Sequence, residues 1–164
     1  MEHPNEAIKP RTSPKDFFIH LLSILSLYFS AVSFLVLIFQ YINLLIPDVL
    51  TDNVYSEASY LGSLRWSLAS LIIVFPVYIT TNWFLNKSYG QTPEKRLLRI
   101  RRWLVYFTLF ATALIIIGDL VMLLYTFLNG EITMRFVLKI ISVFFVAGSI
   151  FTYYFWDLKL HQTE

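Results

Sequence analysis

Four ionisable side chains lie inside long apolar runs of this sequence, where together they could form a charged site. They are Asp119, Lys139, Arg65 and Arg135. A carboxylate alone in hydrocarbon is costly, so Asp119 is expected to face other helices and to pair with a base or become neutral. Lys139 is the expected partner, and the two arginines are expected to join it. Such a buried charge network would carry net positive charge and would attract an anion, a lipid phosphate or a substrate carboxylate.

The same residues also allow a structural interpretation. The charges would then clamp the helices in register while the long basic side chains extend to the membrane surface. Pro76 has a similar pair of interpretations, because a proline inside a helix removes one backbone hydrogen bond and predicts a kink. The kink would either be packed in place or act as a hinge. The sequence leaves both pairs of alternatives open.

Residue types that serve catalysis and metal binding are missing or scattered. The chain has no cysteine, which excludes disulfides and thiolate ligands. His3 and His161 lie in polar tails and His20 lies at the edge of an apolar run, so no two share metal-ligand spacing. One acid within the apolar runs does not make a general acid-base pair. We therefore predict that the protein is not an enzyme and uses neither a cofactor nor a metal.

The elements that would position these charges are four long apolar runs. The chain has 164 residues, of which 57% are hydrophobic, and the runs are long enough to span a bilayer. The predicted spans cover approximately residues 17–46, 64–85, 103–128 and 134–156. The sequence therefore predicts an all-α polytopic membrane protein, a four-transmembrane-helix bundle built of two antiparallel hairpins.

Capping residues mark several of the helix ends. Ser13 and Pro14 suit the N-cap and the first helical position, and Asp16 is placed to complete a capping box. The pair Asn129-Gly130 predicts a left-handed stop of the third helix. Thr133 is predicted to cap the fourth helix. The third and fourth helices should therefore form a tight antiparallel hairpin.

The chain divides into a membrane domain and two tails. Residues 1–13 are predicted to be a disordered cytoplasmic tail, because they are polar and contain two prolines. Residues 14–158 form the predicted transmembrane domain, and residues 159–164 a second cytoplasmic tail. The third helix is predicted to begin near residue 93, so that its first part extends into the cytoplasm.

Basic residues concentrate between the second and third apolar runs. They include Lys95, Arg96, Arg99, Arg101 and Arg102. Ten of the thirteen Lys and Arg residues lie in this segment and the two tails, which predicts cytoplasmic N and C termini in a plasma or bacterial inner membrane. Because the basic run flanks a span and lacks an aromatic stacking platform, we expect it to bind anionic lipid headgroups and not nucleic acid.

Short similarities between the two halves suggest an internal repeat. Arg65-Trp66 with Leu68 on the second helix matches Arg135-Phe136 with Leu138 on the fourth. A parallel repeat of two hairpins would place Arg65 and Arg135 in equivalent positions.

Several motifs together resemble one known family. They are Arg65-Trp66, Ala69-Ser70-Leu71-Ile72, Phe75-Pro76, Pro93-Glu94-Lys95-Arg96, Arg101-Arg102-Trp103-Leu104, Gly118-Asp119-Leu120, Gly130-Glu131-Ile132-Thr133, Tyr153-Tyr154 and Trp156-Asp157. Through them the chain resembles a prokaryotic family of small four-helix membrane proteins known as domain of unknown function 5671, over nearly the whole length after the tail. The resemblance implies the four-helix topology and implies no activity, substrate or cofactor.

Two functions of different classes remain open at this point. The first is a non-enzymatic membrane module or partner subunit whose polar network locks the bundle. The second is an oligomeric small-solute or ion transporter or channel component, in which Asp119, Lys139 and Arg65 line a cavity. The expected partners are the lipid bilayer, anionic headgroups at the cytoplasmic face, and either further copies of the chain or a membrane partner protein.

Overall fold

A computed structural model describes residues 13–47, 54–91, 99–130 and 132–160. These residues form four α-helices and no strand: α1 (Pro14–Leu45), α2 (Val54–Gln91), α3 (Arg99–Leu128) and α4 (Met134–Leu160). All four helices contain stretches long and apolar enough to cross a membrane, which confirms the predicted fold class. Most of the predicted tails, the predicted start of the third helix, Lys95 and Arg96 lie outside the described residues, as does the Arg99 side chain.

The helix ends follow the predicted caps in part. Gly130 has a φ of +70° and the Thr133 hydroxyl accepts the Phe136 N–H at 3.2 Å, so both features at the α3–α4 turn are confirmed. Ser13 is the N-cap of α1, but its side chain makes no capping hydrogen bond. The predicted capping box is therefore not formed, and the Asp16 backbone carbonyl instead accepts a hydrogen bond from an imidazole within α1.

The first helix occupies the centre of the bundle. α2 packs along α1 and α3 packs along α4, which confirms the two hairpins. α1 also contacts α4 and, less extensively, α3. In the described part of the chain the backbone of α2 stays more than 8 Å from the backbones of α3 and α4, measured between Cα atoms. A site that combines residues of α2 and α3 must therefore be assembled across α1.

Small hydroxyl side chains allow the other helices to approach α1. The most buried of them are at most 6% exposed: Ser23, Ser26, Ser30 and Ser33 on α1, Ser67 on α2, and Thr108 and Thr112 on α3. The serines of α1 recur at spacings of three and four residues, which places them on one helix face. Small residues at helix contacts permit close packing in a membrane, where the hydrophobic effect does not drive helices together. Many of the large apolar side chains point outward.

The bundle has two ends that differ chemically. The terminal end is the one where α1 and α3 begin and α2 and α4 end, and the hairpin end is the one where α1 leads to α2 and α3 to α4. Trp83, Trp103 and Trp156 lie toward the terminal end and are 62% to 68% exposed. Trp66 and Tyr125, toward the hairpin end, are 57% and 62% exposed. Exposed aromatic residues toward both ends suit the two interfaces of a bilayer.

Candidate polar site at the terminal end

Polar side chains from all four helices surround a small cavity at the terminal end. The cavity has a volume of about 80 Å³. Its polar lining consists of His20 and Ser23 on α1, Asn82 and Asn86 on α2, Arg101 on α3, and Tyr153, Tyr154 and Asp157 on α4. We call this cavity the terminal pocket. It brings a cation, an anion, an imidazole, amides and phenols together at one point of the bundle.

An ion pair between α3 and α4 lines the terminal pocket. Arg101 Nη2 donates a hydrogen bond to Asp157 Oδ2 at 2.7 Å. The two side chains are 17% and 23% exposed, and charge-assisted bonds are stronger when they are shielded from water. The pair joins the beginning of α3 to the end of α4 and gives the pocket one fixed charge of each sign.

His20 is packed into the same pocket. Its side chain is 5% exposed, and Nδ1 donates a hydrogen bond to the Asp16 carbonyl oxygen at 2.6 Å. A hydrogen bond to one ring nitrogen fixes the orientation and the tautomer of the imidazole. The ring is therefore a rigid part of the pocket wall.

A second polar contact joins α1 to α3 beyond the pocket. The Tyr28 hydroxyl donates to Thr108 Oγ1 at 2.8 Å, and Thr108 Oγ1 donates to the Leu104 carbonyl at 2.9 Å. Tyr28 lies eight residues after His20, about 12 Å further along α1. This contact fixes the spacing of the two helices that carry His20 and Arg101.

One residue of the basic run lines this site. Arg101 is predicted to bind lipid headgroups, which stays a prediction, and its guanidinium is turned toward Asp157. The reason is that Asp157 lies on the neighbouring antiparallel helix at the same level. Arg102, the next residue, is exposed and keeps its predicted position toward the outside.

Sequence reasoning missed most of the terminal pocket. Asn82 and Asn86 are four residues apart near the end of α2, a spacing that places two amides on one helix face. Arg101 and Asp157 lie two residues after the start of α3 and three before the end of α4. In an antiparallel hairpin these two positions lie at the same level. Counting each residue from the end of its apolar run could therefore have predicted that Arg101 and Asp157 are neighbours.

The predicted network at the hairpin end is arranged differently from the expectation. Arg135 is buried and donates hydrogen bonds from Nη2 to the Asn43 carbonyl at 2.8 Å and from Nε to the Ile46 carbonyl. These carbonyls belong to the C-terminal end of α1, where helix carbonyls lack helical partners and carry partial negative charge. Arg135 therefore caps α1, because acceptors at that helix end lie within its reach.

The structure does not bring the other three network residues together. Arg65 is exposed on α2, which packs only against α1 in the described part of the chain. Lys139 Nζ lies 5.8 Å from the centroid of the Phe39 ring, a cation–π arrangement. Asp119 Oδ2 is buried and has no hydrogen-bond partner. The central position of α1 separates Arg65 from the acid, so the expected charged interior does not form among the described residues.

An apolar groove runs between α2 and α4 over a floor formed by α1. Its volume is about 610 Å³. The walls are Leu71, Ile72, Phe75, Pro76 and Tyr78 of α2 and Phe145, Val146, Ser149 and Ile150 of α4, and the floor is Leu27, Ser30, Ala31 and Phe34. Ser30 is 6% exposed, and its hydroxyl oxygen has no hydrogen-bond partner. We call this feature the lateral groove.

Pro76 is a wall residue of the lateral groove. α2 continues through it as one helix, and the Thr80 hydroxyl donates to the Pro76 carbonyl at 2.9 Å. A side-chain donor one turn further along the helix supports the backbone around a proline. The predicted kink stays a prediction.

Comparison with known proteins places the chain in a family without supplying an activity. No curated protein and no solved structure matches it. The model of one protein family, described as domain of unknown function DUF5671, matches residues 16–154. That range includes all of the terminal-pocket residues except Asp157. Because the match covers most of the sequence, the chain belongs to the DUF5671 family, which confirms the resemblance noted in its motifs.

Proposed function

We propose that this chain is a non-enzymatic membrane module that assembles with further copies of itself, and that the lateral groove is the receiving surface. The observation that carries the proposal is the groove itself: the Cα atoms of α2 and α4 stay more than 8 Å apart in the described residues, which leaves an apolar groove between the two helices. In a membrane, helices associate through close packing.

The helix that suits the groove is α3 of a second copy. α3 contacts α4 and part of α1 but leaves one face open, where Leu114, Gly118, Val121 and Tyr125 are all exposed. Nothing lies within 4 Å of a Cβ built on Gly118, so a helix surface can approach its backbone closely. The centre of this open face lies about 9 Å from the middle of α3 toward the hairpin end, and the groove lies near the middle of α1. The two surfaces therefore overlap in depth over part of their length.

Contact between a groove on one copy and a different face on the next is heterologous. Such contacts generate closed rings or open chains, depending on the rotation between copies. The two faces lie on different helices of the chain, so one copy can use both at the same time. The proposal therefore predicts assemblies larger than a single copy in a bilayer.

Cysteine crosslinking tests this assembly cleanly because the chain has no cysteine of its own. Copies carrying Ile72→Cys in the groove are mixed with copies carrying Val121→Cys on α3, reconstituted in lipid nanodiscs and oxidised. We expect a disulfide-linked heterodimer. The matched control replaces Ile72→Cys by Ile73→Cys, an exposed neighbour outside the groove, and should give only background crosslinking.

Two substitutions show whether the crosslink reports packing of α3 in the groove or random collision of two copies. Gly118→Leu should suppress the crosslink by holding the helices apart, whereas Gly62→Leu, at an equally open glycine of α2, should not. Equal crosslinking through Ile72→Cys and Ile73→Cys, or single copies throughout a nanodisc population, would contradict the proposal. If a lipid chain fills the groove instead, we expect the nanodiscs to contain single copies.

The absence of enzymatic activity belongs to the same proposal. Its support is the scatter of acid and base residues in the sequence and the structural roles found for Arg135 and Lys139. The transport alternative required Arg65, Asp119 and Lys139 to line one cavity. None of these three residues lines the terminal pocket or the lateral groove, so we do not propose transport.

We further propose that the terminal end faces the cytoplasm of a plasma or inner membrane and that Arg102 contacts anionic lipid there. The support is that ten of the thirteen Lys and Arg residues lie in the two tails and in the segment between the second and third apolar runs. In the predicted topology all of these lie at the terminal end. Single cysteines at Ser13 and Asn129 test the orientation. A membrane-impermeant maleimide added to intact cells should label Asn129→Cys and leave Ser13→Cys unlabelled, and the reverse pattern would contradict the assignment.

A further inference from the structure

We propose that the terminal pocket binds the phosphoethanolamine headgroup of a phospholipid, with the phosphate against Arg101 and the ammonium against Asp157. This proposal does not depend on the assembly proposed above, which uses other surfaces. It assigns a ligand class to the point where polar side chains of all four helices meet.

The first support is that the pocket contains space. A purely structural ion pair is normally packed by its neighbours, because protein interiors are filled at close to crystal density. Here a cavity of about 80 Å³ remains beside Arg101 and Asp157, with amide and phenol side chains around it. More polar groups converge on this space than one ion pair needs.

The second support is the balance of charge. Arg101 and Asp157 supply one positive and one negative group 2.7 Å apart. A bare anion would be attracted by the guanidinium and repelled by the carboxylate, and a bare cation would meet the opposite arrangement. A ligand that carries both charges can bind both groups at once.

The third support is the set of acceptors around the cavity. A primary ammonium has three N–H donors, whereas the trimethylammonium end of a choline headgroup has none. Asn82, Asn86 and Asp157 carry oxygens that can accept these donors.

The fourth support is the position of the pocket in the bundle. Arg101 lies two residues after the start of α3, and Asp157 lies three residues before the end of α4. Trp103 and Trp156, their close neighbours in sequence, are 62% and 68% exposed. Exposed tryptophans concentrate at the headgroup level of a bilayer. A phospholipid whose chains lie beside the bundle can therefore place its headgroup at the pocket.

Lipid retention by the full chain tests the proposal. The protein is reconstituted in bilayers containing equal amounts of phosphatidylethanolamine, phosphatidylcholine and phosphatidylglycerol, and the lipids that remain bound are identified by native mass spectrometry. We expect phosphatidylethanolamine to be retained about tenfold over phosphatidylcholine, the effect of one additional charge-assisted hydrogen bond. Arg101→Met and Asp157→Asn should each abolish this preference.

Matched variants separate the pocket from general charge effects. Lys159→Met removes a positive charge from an exposed position at the same end of the bundle, and Glu57→Gln removes an exposed acid at the other end. Both should keep the preference for phosphatidylethanolamine. The double variant Arg101→Met/Asp157→Leu leaves neither charge unpaired, so it should stay folded and should lose the preference.

Each remaining outcome decides the question. Retention of phosphatidylglycerol above phosphatidylethanolamine would mean a simple anion site and would overturn the proposal. Equal retention of all three lipids, or a preference that survives in the double variant, would also overturn it. Displacement of the lipid by soluble phosphoethanolamine would support the headgroup chemistry and would show that the lipid chains are dispensable.

Discussion

The two ends of the bundle use their charged residues in different ways. At the terminal end, Arg101 and Asp157 lie level on neighbouring helices and form an ion pair beside His20. At the hairpin end, Arg135 bonds to backbone carbonyls of α1, and Asp119 keeps a buried oxygen without a partner. Acid and base therefore pair where helix packing places them at the same level. Burial in the same half of the membrane is not sufficient for an acid and a base to form an ion pair.

Asp119 and Lys139 lie at different levels on neighbouring helices. Asp119 lies nine residues before the end of α3, and Lys139 lies five residues after the start of α4. With a rise of 1.5 Å per residue, the two Cα atoms differ in depth by about 6 Å. The lysine stem could span that distance, but it lies over Phe39 of α1. The Phe39 ring thus competes with Asp119 for the ammonium of Lys139.

The largest expected effect concerns the cap at the hairpin end. Arg135→Met removes the donors of two α1 carbonyls, and each buried acceptor left unsatisfied costs about 1–3 kcal/mol. We therefore expect the free energy of unfolding in bicelles, measured by steric trapping, to fall by about 3 kcal/mol. Arg65→Met is the matched control and should change it by less than about 0.5 kcal/mol, since Arg65 is exposed.

Equal losses for Arg65→Met and Arg135→Met would revive the idea that the two hairpins are equivalent repeats. The structure gives the two arginines different surroundings, one exposed and one 9% exposed. The comparison of the two variants therefore tests the repeat as well as the cap.

The next effect concerns the ion pair of the terminal end. Arg101→Met or Asp157→Leu alone should lower the free energy of unfolding by about 2 kcal/mol, because each leaves a largely shielded charge without its partner. The double variant Arg101→Met/Asp157→Leu should recover at least half of the loss. A double-mutant cycle by the same unfolding assay measures this coupling. Additive losses would show that the two side chains act independently, and the contrast between the two ends would then disappear.

The contrast also shows what the sequence could and could not predict. The length and composition of the apolar runs predicted four spans and two hairpins, and Gly130 and Thr133 marked the α3–α4 turn, because these features depend on neighbouring residues. Helix adjacency depends on side-chain packing across the bundle, which apolar runs specify poorly. The position of α1 at the centre was therefore missed, although its buried serines at spacings of three and four indicate it.

A smaller effect is expected for the hydroxyl pair between α1 and α3. Tyr28→Phe removes the hydrogen bond to Thr108, and interhelical hydrogen bonds in membranes contribute about 0.6 kcal/mol on average. The unfolding free energy should fall by about that amount, and Tyr41→Phe, at a residue 56% exposed, should leave it unchanged. A loss above about 2 kcal/mol would indicate that this contact, and not the ion pair, organises the terminal end.

The smallest expected effect is at Asp119. Asp119 has a buried oxygen without a partner, and an acid that does not pair at this depth is expected to be neutral. Asp119→Asn then exchanges one neutral polar group for another of the same shape and should change the free energy of unfolding by less than about 0.5 kcal/mol. Lys139→Met should weaken only its contact with Phe39, and the double variant should show the sum of the two single effects. If instead Asp119→Asn is strongly destabilising and Lys139→Met restores stability, the acid and the lysine are coupled in the bilayer. The hairpin end would then contain the charge network that its sequence predicts, and the difference between the two ends would be one of depth alone.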